Sequence, residues 1–512
     1  MRKIVSIDAR TGGERGWSAE PSTLGEVSDS VERAVAAFSW LEAQGRERRA
    51  FMLELMAQAL EANVDELAAL ADGETALGLP RLKSEVARTS FQLRFLSGVA
   101  VEGSYLEASI EHRTKTELGS QPDLRRMNVP IGPVAVFGSS NFPFAFSVPG
   151  GDTASALAAG CPVIVKAHSS HPQLSMRISE LFGDVLRSLD APLGVFQIVF
   201  GREAGTALVK HPGIRAIGFT GSVHGGRALF DAAAARPDPV PFYGELGSVN
   251  PLVVTALAAR ERAETIAEGI AGSMTIGAGQ FCTKPGLFLI PIGPDGDRVV
   301  EHIANTLDSV TPAVLLNASI TESFVEGVAQ VLGDPRITVR HRGKVAERTV
   351  EPVLVEIGAD AFEGSTQRLL SEEYFGPFGV VVRWSSLRQV SQILLALPAA
   401  LTGTVHSGKE ADPELADITR MLASRSGRLV FDEYPTGVTV AWGMNHGGQY
   451  PASTSNSTSV GASSISRWLR PVTYQNAPPS VLPRELDDDT DLPHRVDGAL
   501  RSAAINQAEA AT

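Results

Sequence analysis

Five short runs hold the side chains best able to do chemistry in this 512-residue sequence. The first is Gly279-Gln280-Phe281-Cys282-Thr283. A cysteine behind a glycine turn is a candidate nucleophile, because the freed backbone lets a thiolate approach a substrate. The plainer alternative is a buried structural cysteine, and Cys161, opening the apolar run Cys161-Pro-Val-Ile-Val165, fits that description. The second is Phe242-Tyr-Gly-Glu245-Leu-Gly-Ser-Val-Asn-Pro251. A glutamate among small and apolar residues is a candidate general base, although surface glutamates are common. The third, Phe219-Thr-Gly-Ser222-Val-His-Gly225-Gly226, reads as a strand ending in a turn before a helix. Free N–H groups at such a helix start suit a pyrophosphate, but the run is not the G-x-G-x-x-G fingerprint, and a plain turn is the alternative. The fourth, Gly138-Ser-Ser-Asn141-Phe142-Pro143, follows a buried strand; its Asn amide is a candidate oxyanion donor or simply a turn residue. The fifth is Lys166, which closes the strand Val163–Val165 as a solvated edge charge or as a hand on a ribose or phosphate.

These residues need elements to place them. Residues 27–97 read as helical: Val31, Ala34, Val35, Phe38 and Leu41 recur at helical spacing, and Gly78-Leu-Pro80 punctuates before a third helix from Leu82 to Ser97. Arg88 and Gln92 lie four apart on that helix and share a face. Residues 107–130 predict a β-hairpin around Gly119-Ser-Gln-Pro122, with edges unpaired in their own domain. From Pro133 to Gly221 short buried strands alternate with helices, which implies a parallel sheet. The second half continues with helices at Val299–Leu307 and Glu322–Leu332. Strands are expected at Val353–Glu356, Val380–Val382, Thr402–His406 and Arg428–Phe431. Residues 436–464 read as a long loop, the first two dozen as an extended arm, and the charged segment from Leu482 as a loose tail.

The formal charge is −13, so the surface offers no basic footprint for nucleic acid or an anionic membrane. Two cysteines are too few for a disulfide scaffold and suit a reducing compartment. No signal-peptide core and no apolar run of membrane-spanning length is present, so a cytoplasmic location is expected.

In this order the runs resemble the aldehyde dehydrogenase superfamily, over roughly residues 25 to 475. The motifs are Asn141-Phe142-Pro143, Lys166, Phe219–Ser222, Glu245–Gly247, Gly279–Cys282 and Glu373-Tyr-Phe375-Gly-Pro377. The resemblance implies an α/β fold: a Rossmann-type parallel-sheet cofactor domain (1–106 and 132–246) and an α/β catalytic domain (247–440). It adds a small β oligomerisation element (107–131 and 441–480) and a tail (481–512). It implies that Cys282 adds to an aldehyde carbon, that Asn141 and the Cys282 backbone N–H hold the oxyanion, and that Glu245 activates the hydrolytic water. Lys166 and Glu373 would hold the two riboses, and Phe375 would pack near the nicotinamide. Gly201, Gly205, Phe219 and Ser222 would flank the dinucleotide. Phe142, Arg88 and Gln92 would line the substrate tunnel. No metal is implied, and the hairpin would build a homodimer or homotetramer.

Two departures refine the expectation. Where NAD-preferring members often read Lys-Pro-Ser-Glu, this chain reads Lys166-Ala-His168-Ser169. Without that carboxylate an adenosine 2′-phosphate meets no repulsion, and Lys166, His168 and Ser169 could donate to it. NADP is therefore expected, with NAD also usable. Glu245-Leu-Gly-Ser-Val-Asn-Pro251 and His446-Gly-Gly-Gln-Tyr-Pro-Ala452 make the chain similar to the 2-oxoglutarate semialdehyde (2,5-dioxovalerate) dehydrogenase subgroup. An arginine at position 88 could then grip the substrate carboxylate in two-pronged fashion; alternatively it pairs with Glu85 or Glu61 on a solvated surface. Succinic or glutaric semialdehyde, or a broad aldehyde range, are the competing substrates. An acyl-CoA-forming reductase on the same fold typically lacks the general base, so Glu245 argues against it. A catalytically idle binding protein is disfavoured by Cys282, Glu245 and Asn141 occurring together.

Overall fold

The computed structural model describes residues 3–346 and 348–502. Where an extended arm was expected, Ile4–Ile7 and Glu14–Ala19 pair as a small antiparallel hairpin. Helix α1 (Leu24–Ala43) starts at a capping box: Thr23 accepts from Glu26 N, and the Glu26 carboxylate takes the Thr23 N–H. Val27, Val31, Ala34, Ala37 and Leu41 give it one buried face. Helices α2 (Gly45–Ala62), α3 (Val64–Thr75) and α4 (Leu79–Glu102) follow. The sequence reading merged α2 and α3, because their break is a single non-helical residue, Asn63, with no Gly or Pro to mark it. Pro80 sits in the first turn of α4 and Gly103, left-handed at φ 82°, closes it.

The expected parallel sheet has five strands. Their spatial order is Phe242–Glu245, Ala216–Thr220, Val134–Phe137, Val163–Lys166, Phe196–Val199. The chain lays down its central strand first, steps twice to one side, then returns to the other. Helices α5 (Gly151–Ala159), α6 (Pro172–Ser188), α7 (Arg202–Lys210) and α8 (Val223–Ala234) lie among these strands in the chain. Such a reversal opens a crevice at the carboxyl ends of the strands. Asn141, Lys166, Ser222 and Glu245 all lie at or just beyond those ends.

A second sheet has seven strands in the order Thr338–Arg342, Val353–Gly358, Phe378–Trp384, Leu287–Pro291, Pro251–Val254, Ala400–His406, Ser426–Phe431. Only the first is antiparallel to its neighbour. Pro251–Val254 and Leu287–Pro291 are buried along their whole length. They therefore carry no polar–apolar alternation, and the sequence reading passed over them. Helix α9 (Ala256–Thr275), capped by Thr255, runs towards the turn that precedes Cys282.

The 107–130 hairpin is not left unpaired. Its strand Leu124–Pro130 pairs antiparallel with Leu469–Gln475, and Ala108–Glu111 pairs parallel with His494–Val496. The segment after Leu482, expected as a loose tail, thus completes a five-stranded sheet through His494–Val496 and Ala499–Arg501. Strands three residues long show no period that could have announced them. Among the described residues no helix is long and apolar enough to cross a membrane.

Candidate active site

Cys282 follows a tight turn in which Gly277, Ala278 and Gly279 all take positive φ. At Gly279 a side chain is excluded: a Cβ there would stand 2.3 Å from the Gly376 carbonyl oxygen. The Asn250 amide fixes the other flank, donating to Cys282 O at 2.7 Å and Lys284 O at 3.0 Å. The half-buried Cys282 thus presents Sγ 3.5 Å from His446 Nε2.

The same imidazole nitrogen lies 2.9 Å from a Glu245 carboxylate oxygen, and the Ser459 hydroxyl donates to the other oxygen at 2.9 Å. Glu245 is 4% exposed and His446 1%. Sulfur, nitrogen and carboxylate oxygen all lie within 4.8 Å of one another. Glu245 ends its strand, and the Gly/Ser/Thr-rich loop wraps that strand's edge. Leu246 N donates to Ala452 O, and Thr454 N donates to Gly244 O. His446 and Ser459 arrive on this loop, joined by the Ser459 N–H to His446 O bond of 2.8 Å.

The electrostatics separate the two reactive groups. Burial alone would push the Glu245 carboxyl up. The adjoining His446 charge and hydrogen bonds from His446, Ser459 and Cys282 outweigh it and hold the group below its ordinary value. Cys282 moves the other way: burial, then the Glu245 charge and hydrogen bond, push its thiol well above 9.0. The resting pair is thiol and carboxylate. Cys161 is a structural thiol, donating to Trp468 O at 3.3 Å and pushed up to about 12 by burial.

Asn141 reaches the backbone just before Cys282. Its amide donates to Gln280 O at 2.9 Å, which uses one of its two N–H bonds. Helix α4 holds the Asn141 turn. Arg81 donates to Asn141 O at 2.7 Å, and the Glu85 carboxylate accepts from Phe144 N at 2.9 Å and Ala145 N at 3.0 Å. Phe142 packs edge-on against Phe281 and Phe146, with the Arg81 guanidinium over its face.

Arg88 is not on a solvated surface. It stacks over Phe146, donates from Nη2 to Val438 O at 2.9 Å, and leaves Nη1 buried without a partner. It forms no ion pair among the described residues, and the carboxylates of Glu54 and Glu61 go to Arg94 instead. Arg88 interacts electrostatically with Glu85, Cys282 and Glu245. Gln92, expected beside it as a second donor, spends its amide nitrogen on Ala145 O at 3.4 Å and is 2% exposed.

The groove residues fit a dinucleotide. Lys166 has no partner among the described residues; burial and the nearby Arg202 charge lower it to about 8. An unpaired cation of this kind is ready for an anion. Ser169 is exposed, whereas His168 uses Nδ1 to accept from Ser170 N, and burial keeps its imidazole neutral. Gly201 caps α7 at φ 104°, and Gly205 packs tightly against Phe137 and Lys166. Ser222 caps α8 by accepting from Gly225 N, while Phe219 is buried with Phe137 and Phe242. Burial raises Glu373, which accepts from Ser248 N and lies beside Gly247, where a Cβ would stand 2.3 Å from its carboxylate. Phe375 is half-buried in the next turn.

The sequence reading quoted the His446 run but gave the histidine no role, named Glu85 only as a possible partner of Arg88, and did not single out Ser459 or Arg202. A lone histidine in a Gly-rich loop carries no local sign that a cysteine 164 residues away will meet it.

Comparison with known proteins agrees with this geometry. Residues 3–449 match the model of the Aldehyde dehydrogenase family. The chain is 42% identical over 478 residues to alpha-ketoglutaric semialdehyde dehydrogenase 2 of Azospirillum brasilense, covering 91% of this chain and 90% of that one. It is 36% identical over 494 residues to the alpha-ketoglutaric semialdehyde dehydrogenase of Acinetobacter baylyi, covering 96% and 94%. A solved 1-pyrroline-5-carboxylate dehydrogenase from Thermus with bound NAD shares the fold, with a TM-score of 0.79 and 20% identity over 93% of this chain and 90% of that one. An activatable cysteine and a buried carboxylate meet beside a dinucleotide-type crevice, and both relatives oxidise semialdehydes by name: the chain belongs to the aldehyde dehydrogenase family and is an aldehyde-oxidising oxidoreductase.

Proposed function

We propose that the protein oxidises 2-oxoglutarate semialdehyde to 2-oxoglutarate, with NADP as acceptor and NAD also usable. The observation that carries this reading is Arg88, a half-buried residue whose Nη1 is buried without a partner, with no ion pair among the described residues and with Cys282 within its field. Leaving a buried guanidinium N–H without an acceptor costs about 1–3 kcal/mol, and a substrate carboxylate would offset that cost. An apolar aldehyde would not. The names of the two semialdehyde-oxidising relatives support the same substrate class.

On this reading the Cys282 thiolate adds to the aldehyde carbon. The remaining Asn141 N–H and the Cys282 backbone N–H hold the oxyanion. The nicotinamide, when bound, supplies a hydride acceptor. The acyl group is left as a thioester on Cys282, Glu245 takes a proton from water, and the hydroxide releases the acid. Lys166 and Glu373 would hold the riboses, with Ser169, Lys166 and Arg202 around the 2′-phosphate. Free cysteines and open sheet edges are in keeping with a cytoplasmic homodimer or homotetramer.

The test is NADPH appearance with a panel of semialdehydes, run with each nucleotide and with and without coenzyme A. The expected result is turnover with 2-oxoglutarate semialdehyde, a free acid product and no need for coenzyme A. Strict dependence on coenzyme A would contradict the hydrolytic role of Glu245.

A further inference from the structure

His446 Nε2 meets both reactive groups, at 2.9 Å from the Glu245 carboxylate and 3.5 Å from Cys282 Sγ. An ionised carboxylate only accepts hydrogen bonds, so the shorter contact places a hydrogen on Nε2. The imidazole has no freedom to serve elsewhere. Its backbone N–H is bound to Thr458, its carbonyl receives the Ser459 N–H, and its ring packs on Phe146.

We propose that His446 is a further catalytic residue: its Nε2–H is a shared donor that follows one negative charge as it moves between Glu245 and Cys282. In activation the S–H bond breaks and the proton passes to Glu245, forming an O–H bond. The imidazole N–H then turns from the neutralised carboxyl to the thiolate. Once the thioester has formed, Glu245 loses that proton to solvent and regains the N–H. In deacylation it takes a proton from water, hydroxide cleaves the thioester, and the proton returns from Glu245 to the released sulfur. Each step moves one proton and needs no oxidant beyond the nucleotide of the main reaction.

The surroundings fix which charges act on this handover. Arg88 bears on both Cys282 and Glu245, and Arg428 bears on Cys282 as a second cation. Glu373 opposes the thiolate as a second carboxylate, with the Lys284 charge acting on it in turn. None of these touches both partners; Nε2 does.

The inference rests on the nucleophile and base roles proposed above, but on no particular substrate or nucleotide. The experiment is iodoacetamide labelling of the full-length protein without ligands, followed by peptide mass spectrometry from neutral to alkaline pH. His446→Phe keeps a ring against Phe146 and removes the donor. It is expected to slow Cys282 labelling about tenfold at neutral pH and to move the pH midpoint upward. His446→Gln, which keeps an amide N–H, is expected to fall between the two. In a Glu245→Gln background the Nε2–H is left to the thiolate alone, so His446→Phe should still slow Cys282 labelling. Wild-type labelling rates and pH profile in folded His446→Phe would overturn the proposal, as would no effect of His446→Phe in the Glu245→Gln background. Should His446→Phe fail to fold, His446→Leu takes its place with the same expected loss. Equal labelling in Cys282→Ala would overturn the nucleophile reading and this one together.

Discussion

Glu245 stays ionised in a buried site because three donors outweigh its burial, and that sets what its loss should do. Glu245→Gln should still release one equivalent of hydride to the nucleotide and then stall as a thioester, seen as a burst without turnover. Normal turnover would assign the base elsewhere. The sign of the shift also places the acid limb. A depressed carboxyl remains a base until pH falls through its lowered value, so turnover should hold to below pH 4.5 wherever the fold survives. Arg88→Met removes the cation proposed to hold the substrate carboxylate. It should lower kcat/KM for 2-oxoglutarate semialdehyde about 100-fold, the equivalent of about 3 kcal/mol. An uncharged aldehyde of equal length should be spared; equal losses would make Arg88 structural. Ser169→Glu should shift preference from NADP towards NAD by placing a carboxylate against the 2′-phosphate, and unchanged selectivity would put the discrimination elsewhere. Cys282, Glu245 and Asn141 stood out as candidates in sequence because each sits in a run of Gly, Pro or small residues, and the structure brings Cys282 and Glu245 together. His446 did not, because its contacts with Cys282 and Glu245 exist only after a distant loop folds back over them.

Helix α4 carries Arg81, Glu85, Arg88 and Gln92 along one face, and each reaches the Asn141–Ala145 turn or the catalytic pocket. Glu85 is the anchor, since its carboxylate is the recorded acceptor for two buried N–H groups of the turn. Glu85→Ala should leave both unpaired, at a cost of about 3 kcal/mol, and loosen the oxyanion donor. Calorimetry should show a lower Tm, and kinetics a larger loss in kcat than in KM. An unchanged Tm would mean the turn holds without it. The spacing of Arg88 and Gln92 was readable from the helical period alone. That Glu85 would serve backbone N–H groups instead of pairing with Arg88 was not, because the i, i+3 pattern suits a surface ion pair equally well. Likewise the helical spacing of Val31, Ala34 and Leu41 announced α1, whereas the Asn63 break between α2 and α3 and the wholly buried strand Pro251–Val254 carry no punctuation or alternation.

Across the whole molecule, the reversal of strand order in the five-stranded sheet fixes where the dinucleotide crevice lies. The Gly/Ser/Thr-rich loop then brings His446 over to that sheet from the side of the second one. Ser426–Phe431 and Leu469–Gln475 are among the strands that stand at sheet edges. Edge strands invite pairing with another chain, so light scattering at micromolar concentration should give the mass of two or four chains. A monomer would contradict the proposed assembly. The alternation of strands and helices made the first sheet legible. The pairing of His494–Val496 with Ala108–Glu111 was not, being a contact between strands of three and four residues nearly four hundred residues apart. The substrate claim itself meets its most direct test in the unmodified enzyme. The measurement is kcat/KM for 2-oxoglutarate semialdehyde against pentanal, an uncharged aldehyde of the same chain length. An arginine waiting for a carboxylate predicts a preference of about 100-fold for the semialdehyde; equal efficiency, or a preference for pentanal, would contradict it.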